Sequence, residues 1–274
     1  MSRKIDVLDQ GFVRLVDAMP NLPGAADTAI VEAARVSYQQ GTTSSRNERG
    51  LIRYLMRNWH CSPFEMVELK FHLKMPIFVA RQWMRHRTAS INEVSARYSV
   101  LPDEAYIPES SDIGVQSTTN KQGREAGLST SESAHVRDLI SHQSSEAFSA
   151  YNELLNKGVA REQARLVLPV NTYTEFYWKA NLLNTMRLLQ LRMDPHAQKE
   201  CRVYAEAIYE IAKEIAPVTM EAFRDYWLDG AKFSAQEWTL LKKTLSYSQI
   251  EAVLSGAAAV LSSGEIAELR KKLT

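Results

Sequence analysis

The run RHRTASINEVSARYS, from Arg85 to Ser99, concentrates groups able to do chemistry: three arginines, a histidine, a glutamate, an asparagine and three serines in fifteen residues. A guanidinium grips phosphate with a planar fork, and serine hydroxyls complete the shell around the anion. Glu93 cannot bind phosphate and suits a ribose hydroxyl or an N–H of a base. Gln82 and Arg85 lie three apart, so on a helix they face the same way and address one ligand. Asn92, Glu93, Ser95 and Arg97 follow at spacings that place Glu93, Ser95 and Arg97 on one side of a strand. The cluster reads as a nucleotide site, and the plainer alternative is a solvated basic loop.

The elements before it supply its footing. Val67, Leu69, Phe71, Leu73 and Met75 alternate with Glu68, Lys70, His72 and Lys74, the period-two pattern of a half-buried strand. Pro76 then offers the dihedral favoured in the first turn of a helix, expected from Ile77 to Arg85. Upstream, Phe12 to Met19 reads as a strand, and Ala25 to Tyr38 and Glu48 to Trp59 as helices. Residues Glu109 to Ser133, rich in Ser, Thr, Gly and Gln, are expected to form a mobile surface insertion. Helix is expected from His135 to Lys157 and from Ala160 to Leu166, strand from Val170 to Trp178, and helix again over Leu182 to Met193 and Pro195 to Ile215. Two or three small amphipathic helices are expected after Ala231.

Composition narrows the partners. With 33 basic and 32 acidic residues among 274, the net charge of +1 gives no general field for nucleic acid or membrane, so an anion must be held locally. No stretch approaches the roughly 18 consecutive apolar residues that cross a bilayer. The opening MSRKIDVLDQGF lacks the apolar run of a signal peptide, and Cys61 and Cys201 are the only cysteines, so a reducing cytoplasmic setting is expected.

RHRTASINEVSARY matches every fixed position of the signature RHRxxSxNExSxRY of flavin-dependent thymidylate synthases. The chain resembles that family further through AARVSY (33–38), HCSPFEM (60–66), PIFVARQW (76–83), AREQARLVLP (160–169) and LRMDPHAQKE (191–200), over roughly residues 5 to 228. The resemblance implies an α+β fold, an antiparallel or mixed sheet flanked by helices, in a domain over residues 1–230 with the insertion at about 109–133. A helical C-terminal extension over 231–274 would follow. It implies a homotetramer with active sites shared between subunits. It assigns Ser62, Arg85, His86, Arg87, Glu93, Asn181, Leu182, Leu183 and Arg187 to FAD. It assigns Gln82, Trp83, Met84, Arg85, Glu93, Val94, Ser95, Ala96, Arg97 and Arg165 to deoxyuridine monophosphate (dUMP). Arg192 becomes the catalytic residue, polarising the uracil ring by stabilising negative charge at its N3 side. NADPH would reduce FAD, and 5,10-methylenetetrahydrofolate would give the carbon.

Other residues invite plainer readings. Cys61 beside His60 admits a thiolate nucleophile, but a free cysteine is more often a small buried hydrophobe. His60 is equally a histidine at the substrate entrance or a structural one. His135, His142 and His196 have no metal-ligand spacing with a cysteine, so no metal site is expected. Trp59, Trp83 and Trp178 read as core. No GxGxxG turn is present, so FAD would be held by means other than a Rossmann turn. A nucleotide- or RNA-binding module without catalysis is the alternative from another class. It would want a spread basic face with stacking aromatics. A cysteine-dependent thymidylate synthase would want a nucleophile loop the sequence does not offer.

Overall fold

The computed structural model describes residues 3–22, 24–36 and 47–273. In chain order its first part holds β1 (Lys4–Val7), β2 (Gly11–Met19), α1 (Ala25–Arg35), α2 (Glu48–Arg57), a 3-10 turn (Ser62–Met66), β3 (Glu68–Pro76), α3 (Ile77–Trp83) and β4 (Ser90–Glu93). There follow β5 (Val115–Gln116), β6 (Arg124–Glu125), α4 (Thr130–Asn156), α5 (Arg161–Ala164), β7 (Tyr173–Asn181), α6 (Leu182–Arg192), α7 (Lys199–Ile215) and α8 (Pro217–Phe223). Ser37 and Tyr38, the end of the first expected helix, lie outside the described residues.

The alternation read in the sequence becomes the centre of a five-stranded antiparallel sheet ordered β1-β2-β3-β7-β4. Leu69, Phe71, Leu73 and Met75 are fully buried on one face of β3 and meet Ala180, Trp178, Phe176 and Thr174 of β7 in register. The opposite face is polar: His72 stacks on Tyr177 and bridges Arg14 Nη2 at 2.9 Å and Glu175 Oε2 at 2.8 Å. Helix α7 packs on the buried face, with Cys201, Tyr204, Ala205 and Ile208 at zero exposure. The hydroxyl of Tyr204 donates to Lys74 O at 2.7 Å. That crossing needs Gly11, because a Cβ there would meet Tyr204 Oη at 2.0 Å. Asp27 on α1, buried, accepts from Val218 N, Thr219 N and Thr219 Oγ1 at 2.8, 3.0 and 2.6 Å, closing the N-terminus of α8. It satisfies donors that a helix start leaves open.

Several expectations change, among them the helix expected to reach Arg85, which ends at Trp83 and so does not carry Gln82 and Arg85 on one face. The strand expected to run through Glu93, Ser95 and Arg97 stops at Glu93, because Tyr98 N and Ser99 N return to Ser95 O and fold the chain into a turn. The polar insertion has structure of its own: it pairs β5 with β6 and is tied to α7 by Arg124–Glu200 and Lys199–Asp112 ion pairs. Trp59 is 60% exposed and stacks on Trp227 instead of entering the core. Helix α7 begins at Lys199 and not at Pro195, since residues after Asp194 turn on its carboxylate, which accepts from His196 N at 2.8 Å. Strand β1 was not anticipated.

The backbone divides into two units, Met1–Leu228 and Asp229–Thr274. The second contains α9 (Ala235–Thr244), α10 (Tyr247–Ala257) and α11 (Ser263–Leu273) around Ile250, Leu254 and Leu273, with Trp238, Leu245, Ile266 and Leu269 packed beside them. Ser234 with Glu237 and Ser246 with Gln249 form capping boxes at the starts of α9 and α10. Among the described residues no helix is long and apolar enough to cross a membrane.

Candidate active site

Strand β3 delivers the chain into α3, which buries Val79, Ala80 and Trp83 and turns Gln82 outward. The chain then doubles back, Arg85 N donating to Gln82 O at 3.3 Å and His86 N to Trp83 O at 3.1 Å. Into this turn comes Arg192, the last residue of α6. Its Nη2 donates to Gln82 O at 2.9 Å and its Nε to His86 Nε2 at 3.0 Å. The imidazole must be neutral to accept that bond. Burial and the adjacent Arg192 charge lower its pKa to about 4. Arg192 is thereby fixed by both sides of its guanidinium fork. Arg85, Arg87 and Arg165 are exposed, and among the described residues their guanidinium groups have no acidic or hydrogen-bonding partner.

A second group hangs on β4. Glu93 Oε1 accepts from Thr174 Oγ1 at 2.7 Å, Val94 N donates to Glu175 O at 2.9 Å, and Ser95 Oγ accepts from Arg97 N at 3.3 Å. Ala96 is buried and Val94 exposed. Arg97 pairs with Glu162 on α5 at 3.3 Å. Arg165 lies three residues beyond Glu162, on the same side of that turn of chain. Thr174 and Glu162 were not singled out in the sequence, where nothing distinguishes them from structural residues.

The third group surrounds the start of α6. Asn181 caps the helix, its side chain accepting from Asn184 N at 2.9 Å, and Leu182 N donates to Val67 O at 2.7 Å, next to the turn that carries Ser62. Arg187 donates to Asn184 Oδ1 at 3.2 Å. The side chains of Leu182 and Leu183 are in the core, as is that of Trp83, and Met84 packs against it. Asn181 and Arg192 stand at opposite ends of α6, which at about 1.5 Å per residue puts them roughly 16 Å apart.

Two clefts bear on these residues. One of about 410 Å³ is lined by His72, Asn92, Glu93, Val94 and Glu175 among others. One of about 830 Å³ lies between the β5–β6 insertion and the start of α7, with Arg124, Gln198 and Lys199 in its walls. Neither is lined by Arg85, Arg87 or Arg192. Burial raises both thiols, Cys201 to about 11, so neither is a ready thiolate. Among the described residues no group of three or more His, Cys, Asp or Glu side chains is arranged to hold a metal ion.

An antiparallel sheet flanked by helices, with a cationic turn and a doubly held arginine, defines an α+β protein built to bind an anionic ligand. The family described as thymidylate synthase complementing protein matches residues 14–218. The chain is 52% identical over 251 residues to the flavin-dependent thymidylate synthase of Thermus thermophilus, covering 92% of this chain and 89% of that one. It is 45% identical to the Treponema pallidum protein of that name, covering 100% of this chain and 85% of its relative. Among solved structures it is similar to the UMP/dUMP methylase PolB of Streptomyces cacaoi bound with 5-Br UMP, with a TM-score of 0.71 and 38% identity over 81% of this chain and 98% of that one. The chain belongs to the flavin-dependent thymidylate synthase family.

Proposed function

We propose that this methyltransferase converts dUMP to thymidylate, taking its carbon from 5,10-methylenetetrahydrofolate and its reducing equivalents from NADPH through FAD. The observation that carries the chemical assignment is the two-sided hold on Arg192. A guanidinium already bonded to Gln82 O and His86 Nε2 is oriented before substrate arrives, so it can meet charge developing on the uracil without reorganising. Neutral His86 adds no second positive charge beside it.

The donor set suits a flavin dinucleotide. Arg85 and Arg87 offer guanidinium forks that are unpaired among the described residues to its diphosphate, Ser62 and Asn181 offer a hydroxyl and an amide, and Arg187, midway along α6, stands near Cys61. When bound, reduced FAD supplies the hydride that completes the methyl group, chemistry the protein's own side chains do not have. The chain's residues bind and orient. Arg97 and Arg165 take the nucleotide phosphate with Ser95, Gln82 shares the ligand with Arg85, and Glu93 accepts from a ribose hydroxyl or base N–H. Leu182, Leu183 and Trp83 contribute through main chain and packing, their side chains being buried.

Neither of the two clefts described is lined by all three groups, which supports a homotetramer whose sites join groups from different copies. Free thiols support a reducing cytoplasmic setting.

The test is spectroscopic. The purified protein should be yellow, bleach with NADPH under anaerobic conditions, and regain its colour when dUMP and methylenetetrahydrofolate are added together, with thymidylate formed in proportion. A colourless protein that takes up no FAD, or one whose reoxidation yields no thymidylate, would overturn the assignment.

A further inference from the structure

Strand β4 lies at the edge of the sheet, paired to β7 with Glu93 opposite Phe176. Thr174, two residues before Phe176, is therefore the diagonal neighbour of Glu93 on the same face of the sheet. Its hydroxyl donates to Glu93 Oε1 at 2.7 Å. The two ends of that bond differ in kind. Thr174 is 6% exposed and sits opposite Met75 of the central strand β3. It is β-branched, so its χ1 is stiff and its hydroxyl keeps one direction. Glu93 is exposed at the end of β4, in the wall of the 410 Å³ cleft, and its Oε2 has no partner among the described residues. The main chain beside it is fixed by Val94 N, which donates to Glu175 O at 2.9 Å. An exposed glutamate ordinarily samples several rotamers, and a ligand that binds it must order the side chain. Here a rigid partner already occupies one oxygen and leaves the other open.

We propose that Thr174 is a positioning residue for Glu93, setting the carboxylate so that Oε2 meets a ribose hydroxyl or base N–H of the nucleotide without a search through rotamers. This role rests on the proposed contact of Glu93 with dUMP. It brings into the site a residue of the inner sheet 81 positions away in sequence. A hydroxyl bonded to an ionised carboxylate makes one of the stronger and more directional hydrogen bonds. If Glu93 did no more than satisfy a buried hydroxyl, removing that hydroxyl would leave the nucleotide unaffected; if Thr174 did no more than fill space, its methyl would matter and its hydroxyl would not.

The experiment compares Thr174→Val, Thr174→Ser, Glu93→Ala and the double variant Thr174→Val with Glu93→Ala. Each is studied as the FAD-loaded protein, by direct titration with dUMP, by steady-state turnover and by melting temperature. Thr174→Val keeps the shape and removes the hydroxyl, and water can satisfy the exposed carboxylate it releases. The dUMP dissociation constant and KM should rise about tenfold, the worth of one well-placed hydrogen bond, with no fall in melting temperature. Thr174→Ser keeps the hydroxyl and deletes a buried methyl, so it should melt lower yet bind dUMP within about threefold of wild type. A packing role gives the reverse order. On the Glu93→Ala background, Thr174→Val should change dUMP affinity by less than about twofold, since the group it positions is gone. The positioning role is wrong if Thr174→Val binds dUMP as wild type does, if Thr174→Ser is as weak as Thr174→Val, or if the tenfold effect persists without Glu93. Should Thr174→Val not fold, Thr174→Ala against Thr174→Ser makes the same comparison, the two differing only in the hydroxyl. Glu93→Ala that binds dUMP as wild type does would overturn the contact on which the role rests, whereas a weakened Glu93→Ala beside an unaffected Thr174→Val would overturn the positioning role alone.

Discussion

Replacing Arg192 by lysine keeps its charge and removes its geometry. In the folded chain the guanidinium donates from Nε to His86 at 3.0 Å and from Nη2 to Gln82 O at 2.9 Å, and these two bonds fix the plane of the group. Hydrogen bonds to charged groups contribute about 1.5–3 kcal/mol each. A lysine ammonium can keep at most one of these two partners while still reaching a ligand, and it swings about a flexible stem. The loss in transition-state stabilisation is then about 2–3 kcal/mol, or roughly 30- to 150-fold in turnover. Arg192→Ala, lacking the charge as well, should fall further, with FAD still bound in both. The assay is thymidylate formation at saturating dUMP beside the flavin absorbance of the same preparation. If Arg192→Lys turned over within threefold of wild type, orientation of this group would not be part of catalysis.

Three further outcomes follow from single contacts. His86 has a folded pKa lowered from the ordinary 6.5 to about 4, so its contribution to stability is present above about pH 6.5 and is lost as the pH falls from there toward 4. Between pH 7 and pH 5 wild type should therefore lose more stability than His86→Gln in urea unfolding, and identical losses would contradict the buried neutral imidazole. Asp27→Ala strands two main-chain donors and the Thr219 hydroxyl, and should destabilise by about 3 kcal/mol; a loss under about 1 kcal/mol in the same assay would show that water replaces the cap. Gly11→Ala drives a methyl against Tyr204 Oη and should cost about 1–3 kcal/mol, part of which Tyr204→Phe in the same chain should restore. No recovery in the double variant's melting temperature would place the strain elsewhere.

Much of this architecture is legible in the sequence because it follows from periodicity. The β3 alternation survives intact since every second residue is buried against α7 and its neighbours, and Pro76 marks the start of α3 as its fixed dihedral requires. The four residues of β1 are too few to show a period. Their place is set by pairing with β2 across a tight turn. The strand expected through Arg97 is four residues longer than β4: alternation of polar types continues past Glu93, but Ser95 offers its carbonyl and hydroxyl to the following amides and ends the strand. The ties of the insertion are not legible in composition, which counts apolar burial and cannot see one arginine reaching a buried glutamate 76 residues away. One signal was available and unused. Ser129 followed by Glu132 is a capping box, and it starts α4 at Thr130, five residues before the expected His135. The proposed site residues come from their motif, while the contacts that hold two of them, Arg192 with His86 and Gln82 with Gln198, are long-range and have no local signature.

The proposed mechanism makes thymidylate without a protein nucleophile, on residues that orient substrate for flavin chemistry. A cysteine attack on the uracil ring has no substitute in that other mechanism, and Cys61 and Cys201 are the only thiols. The direct measurement is a single anaerobic turnover of the double variant Cys61→Ala, Cys201→Ala, loaded with FAD and reduced by NADPH, with flavin reoxidation and thymidylate followed in one sample. Some stability should be lost, since Cys201 is fully buried. The folded, flavin-loaded variant should reoxidise its flavin and form thymidylate in matching amounts. The same protein, folded and loaded but forming no thymidylate, would contradict the account.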